Sequence, residues 1–118
     1  RIIGVHPVPP LNHDSWLSRN RLMETVAEEV AGSSTDRVIV CGDLNCSPWS
    51  PFFNRLIRES GLRDSSRGQG IFPTWTGFTP LLGVPIDHIL ISEGVDCLDR
   101  SVGPSLGSDH RPLVMDFR

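Results

Sequence analysis

The chain has 118 residues, 38% of them apolar, with 11 Gly, 10 Pro and a formal net charge of −3. One domain of this size should bury roughly 60–68% of its unfolded surface, and the composition excludes collagen-like, low-complexity and fibrous classes. No run approaches the ~18 consecutive apolar residues of a membrane span, and no signal-peptide pattern is read. The three cysteines Cys41, Cys46 and Cys97 have neither the spacing of a zinc motif nor the even count of a disulfide framework. All 11 basic residues are Arg, and they are scattered. This argues against tight non-specific nucleic-acid binding, which needs clustered phosphate contacts, but does not exclude a phosphate held by a metal.

Ile2 to Val5 is a short apolar run that reads as the inside of a strand, closed by Pro7, Pro9 and Pro10. Asp14 or Ser15 is the expected cap of the next segment. From Trp16 to Val30 the residues Trp16, Leu17, Leu22, Met23, Val26, Ala27 and Val30 follow helical spacing, and Gly32 ends the helix. Arg37 to Cys41 carries Val-Ile-Val-Cys, a strand apolar enough to be buried on both faces. Ser50 caps and Pro51 opens a second helix, which Gly61 closes. Residues 64–80 form a long polar loop containing Trp75. Three strands follow: Ile86–Ser92, Val95–Val102 and Pro112–Phe117, with a loop from Gly103 to Asp109. This order predicts a mixed, mostly antiparallel sheet with helices on one face, in the α/β (α+β) class.

Four polar groups sit at the ends of apolar strands: His6; Asp43 with Asn45; Asp87 with His88; and Asp109 with His110. Strand ends are where such folds place ligand sites. Carboxylates, an amide and imidazoles together suit a hard divalent cation, a positioned water and phosphoester hydrolysis. Each piece alone has a plainer reading. Asp43 and Asn45 suit a turn, and His13 and His88 suit structural roles. Trp16, Phe52 and Phe53 read as core, and Cys46 as a packed free thiol. Trp75, in a polar loop, is open between the two. A rival pattern is Gly103-Pro104-Ser105-Leu106-Gly107, a match to the nucleophile elbow of serine hydrolases. That motif needs a strand before it and a helix after it, and the sequence that follows reads as a strand.

Taken together, Gly42-Asp43-Leu44-Asn45, Ile86-Asp87-His88-Ile89-Leu90 and Gly107-Ser108-Asp109-His110-Arg111-Pro112 resemble the C-terminal half of the endonuclease/exonuclease/phosphatase superfamily. Val5-His6-Pro7 and Pro73-Thr74-Trp75, the latter a common element of bacterial members, fit the same pattern. The resemblance implies half of a four-layer α/β/β/α sandwich, with residues 1–118 forming a single partial domain. It implies a Mg²⁺- or Mn²⁺-dependent phosphoesterase. In that reading Asp43 orients and deprotonates the attacking water. Asn45 bonds the scissile phosphate, Asp109 enters the metal site, and His110 contacts the phosphate with Asp87 paired to its ring. His6 is a second phosphate contact or proton donor.

In the family an upstream half supplies a metal-binding Glu, and Glu24, Glu28, Glu29, Glu59 and Glu93 of this chain are not placed for that role. The expectation is a fragment of weak or no activity by itself, whose partners are the missing N-terminal half, a second copy through an exposed sheet face, and a phosphoester such as nucleic acid or a lipid head group. The expected location is the cytoplasm or the outer face of a membrane-anchored bacterial parent. The alternative function is a catalytically silent binding or assembly module of the same fold.

Overall fold

The computed structural model describes residues 1–77 and 83–118; the last part of the predicted 64–80 loop, residues 78–80, lies outside the described residues. The chain runs β1 (Ile2–Gly4), α1 (His13–Ala31), β2 (Ile39–Asp43), α2 (Pro51–Ser60), β3 (Arg63–Asp64), β4 (Asp87–Ile91), β5 (Cys97–Val102) and β6 (Leu113–Phe117). Four strands form one mixed sheet in the order β1-β2-β4-β3. The β1/β2 pair is parallel, and β2/β4 and β3/β4 are antiparallel. The last two strands were expected in this sheet. They pair instead with each other, as a two-stranded ribbon.

The helices begin and end where local chemistry directs. Asn12, rather than Asp14 or Ser15, caps α1: its side chain accepts from the Ser15 N–H, and the Ser15 hydroxyl accepts from the Asn12 N–H. This reciprocal pair satisfies two otherwise orphaned donors. Ser50 and Pro51 open α2, and Gly61 closes it in the left-handed conformation at φ 70°, which glycine adopts without a Cβ clash.

Side-chain alternation sends the residues of β2 and β4 to opposite faces. Val38, Val40 and Leu90 pack on Met23, Val26, Ala27 and Val30 of α1 and on Phe53 and Leu56 of α2. The Val, Leu, Met and Phe side chains among these each contribute roughly 1.5–3 kcal/mol. Ile39, Ile89 and Ile91 face the other way and pack with Val95, Cys97, Leu113 and Met115 of the ribbon region. The sheet is thus covered by helices on one side and by the ribbon on the other. A nearly buried ion pair also ties the ribbon down: Arg100 Nη1 of β5 donates to Asp64 Oδ1 of β3 at 2.8 Å and to Ser65 Oγ at 2.7 Å.

The apolar face of α1 is rotated from its predicted position. Trp16 and Leu22 are each 37% exposed, whereas Arg19 and Asn20 are buried. Trp16 instead stacks on His13 and meets Phe52 edge-on. Gly103–Gly107 lies between β5 and β6, so a strand and not a helix follows it, and the nucleophile-elbow geometry is absent there. No helix of the described residues is long and apolar enough to cross a membrane.

Candidate active site

The ends of β2 and β4 set the site. Asp43 and Asp87 are direct partners across the antiparallel ladder. They share a face with Ile39, Ile89 and Ile91, away from the helices. The turn at the end of β2 depends on Gly42, whose φ is 143° and where a Cβ would lie 1.9 Å from the Val5 carbonyl oxygen. Beyond it Asp43 Oδ1 accepts the Asn45 N–H at 2.7 Å, and Asn45 takes a left-handed φ of 50°. The Asn45 amide Nδ2 donates to the Pro7 carbonyl at 3.0 Å, which anchors the segment after β1.

His110 reaches the pair from the β5–β6 connection. Its Nδ1 lies 2.8 Å from Asp87 Oδ2, and its Nε2 lies 3.8 Å from Asp43 Oδ2. His6 Nε2 approaches the same Asp43 oxygen at 3.8 Å from an exposed position. His6, Asp43, Asn45, Asp109 and His110 line one cavity of about 510 Å³, together with Pro9, Pro10, Leu11 and Trp75. Asp87 stands behind His110. Five of the six predicted residues therefore share one cavity and the sixth orients one of them.

Sequence reasoning missed the group behind Asp87. Thr74 is fully buried, and its hydroxyl donates to Asp87 Oδ2. Pro73-Thr74-Trp75 flagged the segment, but no local pattern marks a hydroxyl that reaches 13 residues ahead. Trp75, left open by the sequence, donates its indole N–H to Asp109 Oδ2 at 3.1 Å. His88 is structural: it is buried against Phe53, and its Nε2 donates to the Cys46 carbonyl at 2.8 Å. Cys46 is a packed free thiol, which burial pushes up to about 11.

The charges are tuned unequally. Burial raises the Asp43 carboxyl above the usual carboxylate range, and the Asp87 charge adds to this against the Asn45 N–H and the two imidazoles. Burial pulls His110 down, but the hydrogen bond and charge of Asp87, then Asp43 and Asp109, outweigh it and leave the imidazole above its ordinary value. The Trp75 N–H holds the exposed Asp109 below the usual range. Donor atoms of Asp43, Asp87 and His110 lie within 4.8 Å of one another, a grouping able to hold a cation. In the structure, however, Asp87 Oδ2 is shared by Thr74 and His110. Among the described residues, Asp43 Oδ2 has no hydrogen-bond donor closer than the two imidazoles at 3.8 Å, and at the cavity rim the Asp109 oxygen that the indole does not take meets only the Ser108 hydroxyl, at 3.5 Å. Carboxylate oxygens are the donors that Mg²⁺ or Mn²⁺ takes.

The model of the Endonuclease/Exonuclease/phosphatase family matches residues 2–110. No curated protein matches the sequence. Among solved structures, the 3′ phosphatase NExo from Neisseria, bound to a product DNA hairpin, has a TM-score of 0.77 at 24% identity, covering 99% of this chain and 60% of its own. A mannosyl-6-phosphatase from Bacteroides thetaiotaomicron gives 0.62 at 17% identity, covering 99% of this chain and 49% of its own. The human Nocturnin catalytic domain with bound sulfate gives 0.60 at 19% identity, covering 99% and 45%. The chain therefore spans less than two thirds of the length of these relatives, with which it shares the fold. Matched over nearly its whole length, it belongs to the Endonuclease/Exonuclease/phosphatase family.

Proposed function

We propose that this chain carries the hydrolytic half of a divalent-metal-dependent phosphoesterase that uses an activated water. The observation that carries the reading is the geometry of two groups: the open oxygen of Asp43 and the Nε2 of an Asp87-oriented His110, 3.8 Å apart at one cavity.

Asp43 Oδ1 is occupied by the Asn45 N–H, which leaves Oδ2 to accept a proton from water. Its raised carboxyl makes it a stronger base than an exposed aspartate. Asp87 holds the His110 ring through Nδ1, so Nε2–H donates to a phosphoryl oxygen and stabilises the charge that develops there. Asn45 and the exposed His6 supply further polar contacts to the phosphate. Asp109 would hold Mg²⁺ or Mn²⁺ at the cavity rim, and the ion would supply Lewis-acid polarisation of the phosphoryl oxygen when bound. The substrate is a phosphoester, with nucleic acid, lipid head groups and sugar phosphates as the candidate classes. We further propose that the rest of the domain packs against this chain.

The test is hydrolysis of a p-nitrophenyl phosphodiester and a phosphomonoester by the full natural chain, with Mg²⁺ or Mn²⁺, with EDTA, and with His110→Ala. Metal-dependent turnover lost in the variant is expected, and the diester-to-monoester ratio narrows the substrate. A folded protein inactive on both esters and on a panel of natural phosphoesters would overturn the reading in favour of the silent module.

A further inference from the structure

Arg19 is a guanidinium buried in the middle of α1, 5% exposed. A buried charge is costly unless it is paired or well hydrogen-bonded, and no carboxylate among the described residues takes this one. It stands over the Phe52 ring, 5.5 Å from the centroid. Its Nη1 crosses to the turn after β2 and donates to the Asn45 carbonyl at 2.9 Å. The next carbonyl, that of Cys46, accepts from buried His88. Two consecutive carbonyls of one turn are thus held from below by side chains of different elements, α1 and β4.

Every backbone polar group of Asn45 is engaged. Its N–H goes to Asp43 Oδ1 and its carbonyl to Arg19, while its side-chain amide goes to Pro7. Asn45 also sits in the left-handed region, which non-glycine residues occupy only when their surroundings over-determine it. If the turn relaxes, the N–H that fixes one Asp43 oxygen moves with it, and the other oxygen no longer faces His110. We infer that Arg19 is a positioning residue of the active site: through the Asn45 carbonyl it fixes the turn that aims the Asp43 carboxylate. This inference rests on the phosphoesterase reading for its catalytic consequence, but its structural part stands without turnover.

The turn carries its own reporter. The Asn45 N–H is held by Asp43 Oδ1 and exchanges with solvent when the turn opens. The experiment compares wild type, Arg19→Met and Arg19→Lys in the full natural chain. It reads residue-resolved amide hydrogen exchange together with kcat and KM on the p-nitrophenyl esters. Losing a hydrogen bond from a charged donor should accelerate exchange of the Asn45 N–H roughly 10- to 100-fold, with the amides of β4 unchanged. The kcat should fall about tenfold or more with KM within about threefold, and Arg19→Lys should restore part of both. Exchange of the Asn45 N–H within about twofold of wild type would overturn the inference, and so would a loosened turn with undiminished kcat. If Arg19→Met does not fold, Arg19→Gln, whose amide is too short to reach the carbonyl, is judged by the same criteria. A wild-type protein that hydrolyses neither ester overturns the phosphoesterase reading; the exchange then still decides whether Arg19 holds the turn.

Discussion

Replacing Asp87 with Asn keeps the size of the side chain and its link to Thr74, but removes the charge behind His110. In the structure that charge acts on Nδ1 at 2.8 Å, between side chains 30% and 19% exposed. A hydrogen bond to a charged group at this depth is worth about 1.5–3 kcal/mol, which corresponds to a rate loss of roughly 10- to 150-fold if the transition state depends on a charged His110. The folded His110 lies above its ordinary value of 6.5, so its contribution to stability is fully present below that value and is lost as pH rises through the raised one. Asp87→Asn removes the largest raising influences and leaves burial, which lowers. The alkaline limb of the pH–rate profile should therefore move to lower pH, and so should the His110 imidazole titration followed by NMR. The assay is steady-state hydrolysis across pH with saturating Mg²⁺, paired with thermal unfolding. An unchanged titration and pH profile would refute the role given to Asp87. So would a rate loss fully matched by loss of folded protein.

Three further outcomes are expected. Asp43→Asn should abolish turnover yet raise Tm at neutral pH, because a carboxyl raised on folding stabilises the protein below its ordinary value and loses that contribution as pH rises through the folded one; denaturation scans at pH 4 and 7 read the sign. Gly42→Ala should destabilise the fold by about 3 kcal/mol or more, since the new methyl would meet the Val5 carbonyl at 1.9 Å in a backbone region that L-residues avoid; urea melts measure this. Arg100→Met should cost about 3–5 kcal/mol by leaving Asp64 unpaired beneath the ribbon, and Arg100→Met with Asp64→Leu should recover much of it.

The parts of the fold governed by local rules were legible in the sequence. Ser50, Pro51 and Gly61 bound α2 as their cap chemistry dictates, and Val38-Ile39-Val40 is buried on both faces as its apolar run implied. Asn12 was passed over because Asp14 and Ser15 sit in equally good cap chemistry; the choice rests on a reciprocal pair that only geometry shows. The face of α1 was misjudged for a physical reason. Arg19 reads as a solvated residue until its partner, 26 positions along the chain, is known. The pairing of β5 with β6 was not legible either, since alternation tells which face is buried and not which strand lies alongside. At the site, Asp43, Asn45, Asp87, Asp109 and His110 could be named from motifs at strand ends. Thr74 could not, because only the fold brings its hydroxyl to the Asp87 carboxylate.

The pairing of Asp43 with Asp87 across β2 and β4 sets like charges directly opposite, an arrangement that weakens a ladder. Three apolar rungs, Ile39 with Ile91, Val40 with Leu90 and Cys41 with Ile89, hold it in place. Those rungs act as an alignment gauge for the chemistry. A slip of one residue between the two strands would send one carboxylate to the helix side and leave the other facing His110 alone. The same slip turns Leu90 away from the helices and Ile89 and Ile91 toward them, so one register sets both the two cores and the proposed site.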